Sequence, residues 1–240
     1  EKKNSGGLAV HKSSHHFDIL NYIVGSFADT LYAQGNTSFY GEAGPYRGTR
    51  CMDCGYKNEC LFYVDIFTNE RTIGLYKNAE QDDGYLRDGC LFRPEIDAED
   101  NFHAVFTYEN GVRGMYSLVA YCPFEGYRVV ISGEKGRLEY NAIGSADWAP
   151  GIVTKPGLSE SAGRRLKLYS VEEGVKDITI PKAEGGHGGS DPQLRIDFFV
   201  NSWQSEERSP RMATLIEGAQ AVLMGVAVNI SIQENRPVSV

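Results

Sequence analysis

The sequence predicts an α+β fold, in which an open, mainly antiparallel sheet carries helices on one face. Apolar residues recur at helical spacing over 17–24, alternate with polar residues over 101–140, and return to helical spacing over 215–230. A helix, then consecutive strands, then helices is the order typical of a sheet with its helices segregated to one side. We expect one domain over 1–240, because a chain of this length can bury a large core.

Composition and charge exclude some classes of partner. The chain has 240 residues, of which 41% are hydrophobic and 23% charged, and a net charge of −8. Phosphate affinity is built from clustered Lys and Arg, and no large basic cluster occurs, so we expect neither nucleic acid nor an anionic membrane as partner. No uninterrupted apolar run approaches the about 18 residues that cross a bilayer.

The N-terminal segment EKKNSGG has no apolar core of a signal peptide and no initiating Met. We therefore expect a fragment or a processed form of a longer protein. The expected location is cytoplasmic, and a periplasmic or secreted location stays open.

The first predicted helix carries a cluster of histidines. Phe17, Leu20 and Val24 form its apolar side, and Gly25 is expected to end it. A second group of residues, spaced i, i+4, i+7, shares another side of the same helix: His11, His15 and Asp18.

Three interpretations of this polar row stay open. The histidines could be hydrogen-bonded structural residues, or they could exchange protons, because histidine titrates near neutral pH. Two histidines four residues apart with a carboxylate could also bind zinc. Metalloprotease helices place a Glu after the first His, and here Lys12 stands in that position.

Residues 33–60 are rich in Gly, Asn, Thr and Tyr and predict a long irregular loop. Three of the five cysteines fall at its end with the spacing C-x2-C-x5-C, and a fourth follows thirty residues later. Four thiolates could hold a structural zinc ion that fastens the loop, and buried free thiols or one disulfide are the alternatives. The candidate ligands are Cys51, Cys54, Cys60 and Cys90.

An antiparallel meander is predicted from residue 101. The alternating run 102–108 leads into the turn Glu109-Asn110-Gly111, and 112–121 returns. Two further strands flank a turn at Gly133–Gly136, and weaker strands follow within 166–181. Arg128, near the start of the third strand, could contact substrate, but a cross-strand ion pair is the favoured interpretation.

Two helices are predicted after the strands. Ser190-Asp191-Pro192 and Ser209-Pro210 each place a capping residue before a proline. One apolar stripe is predicted for the last helix, formed by Leu215, Ile216, Ala219, Val222, Leu223, Val226 and Ile230. The Gly-rich segment 185–191 precedes the first of these helices, and its His187 is either a substrate contact or an exposed turn residue.

Several segments, in order, resemble the Gfo/Idh/MocA oxidoreductase family. GGLAVHKSSHHFDILNYIVG resembles the family's G-G-x-x-x-D-x-x-x-H-x-x-D, which opens the C-terminal domain on a helix. CMDCGYKNEC, CLFRPEIDAEDNFHAVFTYENGVRGMYSL, EGYRVVISGEKGRLEY and GGHGGSDPQLRIDFF are similar to later segments of one subgroup. The resemblance covers nearly the whole chain.

The resemblance implies an NAD(P)-dependent oxidoreductase acting on a sugar, cyclitol or related polyol. His15 matches the family's catalytic histidine, and Asp18 matches a carboxylate that orients the site and contacts substrate. His11 stands where many members have Asp, so it is a second candidate for the proton role. The resemblance also implies His187 as a substrate contact, and a dimer or tetramer formed through the sheet.

Two departures limit this expectation. Neither a Gly-rich turn in a βαβ unit nor the family's Glu-Lys-Pro segment occurs in the chain. NAD or NADP is therefore expected to be held mainly by a domain outside this chain. We expect this chain to be inactive without that domain. The alternatives are a non-catalytic carbohydrate-binding or assembly module, and a zinc-dependent hydrolase built on His11, His15 and Asp18.

Overall fold

The computed structural model describes residues 1–122, 124–144, 163–181, 184–201 and 212–240. They form two compact units. Unit 1 comprises residues 1–122 and 215–240, and unit 2 comprises the described residues between them. Both units contain antiparallel sheets and helices, which confirms the α+β class.

The strands and helices are numbered in chain order. The strands are β1 (Ala28–Asn36), β2 (Asn101–Tyr108), β3 (Arg113–Val119), β4 (Gly126–Gly133), β5 (Gly136–Ile143), β6 (Gly163–Ser170), β7 (Gly174–Ile178) and β8 (Val238–Ser239). The helices are α1 (Lys2–Ser5), α2 (Gly7–His11), α3 (Ser13–Val24), α4 (Glu70–Thr72), α5 (Glu80–Asp83), α6 (Gly186–Ile196) and α7 (Leu215–Glu234). A 3-10 turn covers Gly41–Ala43, and π-helical segments cover Ile73–Lys77 and Asp197–Asn201.

Unit 1 is built on a four-stranded sheet in the order β3-β2-β1-β8, and all neighbours are antiparallel. Its inner face is apolar: Leu31 of β1 lies opposite Phe106 of β2, and both are buried. Phe17 of α3 and Met224 and Val228 of α7 complete the same core. The apolar side predicted for the first helix is therefore confirmed at Phe17, which is fully buried.

Strand β1 lies where the sequence predicted the start of an irregular loop. Its residues ADTLYAQGN have a weak pattern, because small and polar residues separate the buried Ala28, Leu31 and Ala33. Pairing with β2 on one side and β8 on the other supplies the hydrogen bonds that stabilise it.

Helix α7 buries a different side from the one predicted. Leu215 is 91% exposed, and Val222, Leu223 and Val226 are each more than a third exposed. The buried side is lined by Ala221, Met224, Gly225, Ala227, Val228 and Ser231. Small residues on this side let the backbone of α7 approach α2 closely. This close contact, and not the apolar content of each side, sets which side of α7 is buried.

By length and composition alone, α7 is apolar enough to cross a membrane, with a mean hydropathy of 1.6. The expectation that no segment approaches this limit is therefore corrected. Core helices of globular proteins have the same properties, and α7 packs on β1 and α3 in the core of unit 1.

Unit 2 contains the second sheet, in the order β4-β5-β6-β7. The predicted meander is thus divided: β2 and β3 belong to unit 1, and the strands from residue 126 onward belong to unit 2. Helix α6 begins at Gly186, four residues before the predicted cap at Ser190, and Pro192 lies inside it. The second predicted cap, Ser209-Pro210, lies outside the described residues.

Candidate functional site

The histidine segment forms two helices instead of the one predicted. Helix α2 ends at His11, α3 begins at Ser13, and Lys12 between them has φ −113°. His11 therefore lies on a different helix from His15 and Asp18. His15 and Asp18, three residues apart on α3, still share one side of that helix.

Two partly buried hydrogen bonds in series fix the start of α3 to the sheet. The Tyr116 hydroxyl of β3 donates to Oγ of Ser13, at 3.0 Å, and Nδ1 of His16 lies 2.8 Å from the same hydroxyl. Ser13 is fully buried. Burial raises the pKa of Tyr116, and the hydrogen bond to Ser13 opposes this only in part, so the phenol keeps its proton at neutral pH.

A close backbone contact fixes α2 to α7. A Cβ on Gly225 would lie 2.5 Å from the carbonyl oxygen of Ala9, so the glycine is what allows this approach. The Asn229 side chain donates to the carbonyl oxygen of Gly6 at 2.7 Å. These contacts hold the helix that ends at His11.

The three predicted residues remain available for a ligand. His11 and His15 are exposed, and Asp18 is half-buried. In the parts of the chain that the structure describes, none of the three makes a side-chain hydrogen bond or ion pair. An exposed imidazole beside a carboxylate on a rigidly anchored helix is suited to exchange a proton with a bound hydroxyl group.

Sequence reasoning missed the anchor formed by Ser13, His16 and Tyr116. His16 follows the predicted His15 directly, but its hydrogen-bond partner lies 100 positions away in the chain. The available signal was local: an apolar side around Phe17 places Ser13, four residues earlier, on the same side, where a buried hydroxyl needs a partner.

His187 and Arg128 lie in unit 2. Nδ1 of His187 lies 2.8 Å from Oδ1 of Asp191, in the first turns of α6, and its side chain is 84% exposed. Arg128 on β4 forms a cross-strand ion pair with Glu139 on β5 at 3.6 Å, which was the favoured interpretation. A role of either residue in substrate binding stays a prediction.

The four predicted zinc ligands line one small cavity in unit 1, with a volume of about 10 Å³. All four are free thiols. Burial raises the pKa of the Cys51 and Cys60 thiols, so both stay protonated at neutral pH when no cation is bound.

Nowhere in the described ranges do three or more His, Cys, Asp or Glu side chains already stand around a point where they could hold a metal ion. This applies to the cysteines and to His11, His15 and Asp18 alike. The structure therefore gives no support to the zinc-dependent hydrolase hypothesis.

The strand pairing of the described residues differs from that of a dinucleotide-binding fold. Every ladder between their strands is antiparallel. Dinucleotide-binding folds hold the pyrophosphate at the start of a helix that links two parallel strands. The described part of the chain contains no such pair of strands.

A family model described as the oxidoreductase family, C-terminal alpha/beta domain, with the label GFO_IDH_MocA_C, matches residues 1–240. The Bacillus subtilis (strain 168) protein YteT, which is named as an oxidoreductase, is 31% identical over 248 residues. The match covers 98% of this chain and 56% of YteT.

Solved structures show the same fold at low identity. An aldose-aldose oxidoreductase from Caulobacter crescentus, complexed with glycerol, matches 100% of this chain and 50% of its own, with TM-score 0.54 and 12% identity. A levoglucosan dehydrogenase, in complex with NADH and levoglucosan, matches 98% and 50%, with TM-score 0.55 and 15% identity. The chain thus spans about half the length of the relatives it matches.

Proposed function

Because this chain belongs to the Gfo/Idh/MocA oxidoreductase family, as its C-terminal alpha/beta domain, we propose that it is a substrate-binding and oligomerisation domain. The intact protein would be an NAD(P)-dependent oxidoreductase that acts on a CH–OH group of a sugar, cyclitol or related polyol. NAD or NADP would be held mainly outside the described residues, which contain no parallel βαβ unit.

One observation carries the proposal. His15 presents an imidazole to solvent from a helix whose start is fixed by the partly buried hydrogen bond between Tyr116 and Ser13. Asp18 follows one turn later on the same side and has no partner in the described part of the chain. We assign to His15 the exchange of a proton with the substrate hydroxyl, and to Asp18 the orientation of substrate.

His11 has a secondary role in the proposal. It is exposed at the end of α2, and the break at Lys12 places it on a separate helix from His15. We propose that His11 assists the proton transfer without replacing His15. His187, which is paired with Asp191, is proposed as a contact to substrate hydroxyl groups.

The proposed substrate class is supported by the names of two structural relatives. One is an aldose-aldose oxidoreductase and another is a levoglucosan dehydrogenase. Both names specify carbohydrate, and neutral carbohydrates are recognised by hydrogen bonds to hydroxyl groups, which imidazole and carboxylate groups can supply.

The oligomerisation role is supported by the outer face of the first sheet. Val105 on β2 and Met115 on β3 lie opposite each other and are 52% and 80% exposed. Adjacent exposed apolar side chains on a sheet mark an interaction surface. We propose that this face joins two copies of the chain.

The catalytic assignment is tested in the intact protein with a panel of aldoses and polyols and either dinucleotide. His15→Gln should lower turnover by about 100-fold or more, which is the usual contribution of a general acid or base. Dinucleotide affinity should stay unchanged. Turnover equal to that of the unmodified protein would remove His15 from the reaction.

Glu109→Gln is the control, because Glu109 is exposed and lies in the turn between β2 and β3. This variant should keep full activity. Equal losses of activity in the His15 and Glu109 variants would contradict the assignment of proton transfer to His15.

A further inference from the structure

We propose that Cys51, Cys54, Cys60 and Cys90 bind one zinc ion as four thiolate ligands, and that this ion fastens the long segment between β1 and β2. The proposal concerns a site separate from the histidine helices and does not depend on the oxidoreductase function. Four cysteines without a water ligand are typical of structural zinc sites.

The first argument is the size and lining of the cavity that the four cysteines share. Its volume of about 10 Å³ is close to that of one water molecule or one ion, and too small for an organic cofactor. Two of the sulfur atoms also converge on Gly48. Those of Cys54 and Cys90 lie 3.4 and 3.9 Å from the point where a Cβ would stand on that glycine.

The second argument is a repeated tripeptide. Cys-Leu-Phe occurs at residues 60–62 and again at residues 90–92. In the second copy the backbone N–H of Phe92 donates to the sulfur of Cys90 at 3.4 Å. The rings of Phe62 and Phe92 then meet edge to face, with their centres 5.8 Å apart.

A hydrogen bond donated to sulfur favours the ionised form of a thiol and orients it toward a metal. The bond from the backbone N–H of Phe92 to the sulfur of Cys90 is of this kind.

The third argument is the support of the C-x2-C turn from outside. The carboxylate of Asp88 accepts from the backbone N–H of Met52, and its backbone oxygen accepts from Cys51. The fully buried Asp88 carboxylate is paired with Arg50, which also pairs with Glu80. These contacts fix the turn that carries the first two ligands beside Cys90.

Binding would draw the sulfur atoms together. They are not yet grouped around a common point in the described structure, whereas zinc requires each sulfur at about 2.3 Å. Cys51, Cys54 and Cys60 are only half-buried and lie on turns, so rotation of their side chains can supply the movement. Zinc binding of this kind also adds to the free energy of unfolding.

The test begins with the full chain, purified under reducing conditions without chelator and without a metal-affinity column. Metal analysis should find about one zinc ion per chain. Replacement by Co²⁺ should give the intense sulfur-to-cobalt charge-transfer and visible bands of a tetrahedral thiolate site. A metal-free chain that does not take up Zn²⁺ or Co²⁺, or a chain that holds iron instead, would overturn the proposal.

Cysteine variants test whether these four residues hold the zinc ion. Cys54→Ser should reduce zinc content to below about a tenth of that of the unmodified chain, and Cys54→His should retain the metal but change the cobalt spectrum, because histidine is an alternative zinc ligand. The histidine variant keeps the test valid if the serine variant does not fold. Cys122→Ser is the control, since Cys122 is exposed and does not line the cavity. Zinc that is lost in the control, or kept in Cys54→Ser, would contradict the assignment.

Discussion

The hydroxyl oxygen of Tyr116 on β3 lies 2.8 Å from Nδ1 of His16 on α3, the residue next to the proposed proton carrier His15. Because that hydroxyl donates its single proton to Ser13, the Nδ1–H of His16 is the donor in the bond between them. Strand and helix are thus joined by two consecutive hydrogen bonds at the candidate site.

Tyr116→Phe should destabilise unit 1 by about 1–3 kcal/mol, because it leaves the fully buried Ser13 hydroxyl without this partner. Urea denaturation of both proteins gives the difference. Adding Ser13→Ala should recover part of the loss, since the orphaned hydroxyl is then removed as well. If Tyr116→Phe is as stable as the unmodified protein, the hydrogen bonds of Tyr116 do not anchor α3 to the sheet.

Gly225→Ala should cost about 1–3 kcal/mol, because the new Cβ would overlap the backbone of Ala9 in α2. The matched variant is Gly218→Ala on the same helix, where no atom lies within 4 Å of the added Cβ. That change should stabilise by about 0.5–1 kcal/mol through helix propensity. Thermal denaturation distinguishes the two, and effects of the same sign would disprove the close contact.

Glu80 should make stability depend on pH in acid. Hydrogen bonds from Arg50 and then Lys77 lower its pKa from 4.5 to about 2. A lowered folded-state pKa contributes stability that is fully present above pH 4.5 and is lost as the pH falls through about 2. The stability advantage of the unmodified chain over Glu80→Gln should therefore be constant at neutral pH and shrink between these two values.

The comparison is made by denaturation at a series of pH values. Glu70→Gln serves as control, because Glu70 lies on the exposed helix α4 and makes no ion pair within the described residues. Its difference from the unmodified chain should not change over the same range. A Glu80→Gln difference that is flat down to pH 2 would contradict the ion-pair explanation.

Asn21→Leu should stabilise unit 1 by about 1–3 kcal/mol. The Asn21 side chain is buried in α3, and neither its oxygen nor its nitrogen has a hydrogen-bond partner in the described structure. Leucine has the same number of side-chain heavy atoms and no polar group to desolvate. Asn21→Asp, which buries a charge instead, should destabilise, and chemical denaturation of the pair tests both directions.

Local patterns were enough to predict the elements formed by neighbouring residues. The hairpin of β2 and β3 followed from alternation around Asn110-Gly111, and α7 followed from its helical spacing. The side that α7 buries could not be predicted in this way. It depends on the close approach of Gly225 to Ala9, and a hydropathy value does not describe the space that a missing side chain leaves.

In the candidate site, too, only the features set by neighbouring residues were predictable from the sequence. His15 and Asp18 were found because their spacing on a helix is a local property. The break at Lys12 and the bond from His16 to Tyr116 are set by tertiary packing, and the two residues of that bond are 100 positions apart. Strand β1 was missed for the same reason, because its hydrogen-bond partners come from β2 and β8.

The side chain of Asn229 bonds the carbonyl oxygen of Gly6 across 223 positions of sequence, and this sets the order in which the chain matures. The helix that covers the histidine helices is translated after the described residues of unit 2, which lie between the two parts of unit 1 in the sequence. Phe17 therefore stays uncovered until α7 has been made. A chain truncated before residue 215 therefore lacks the helix that completes the core around Phe17 in unit 1.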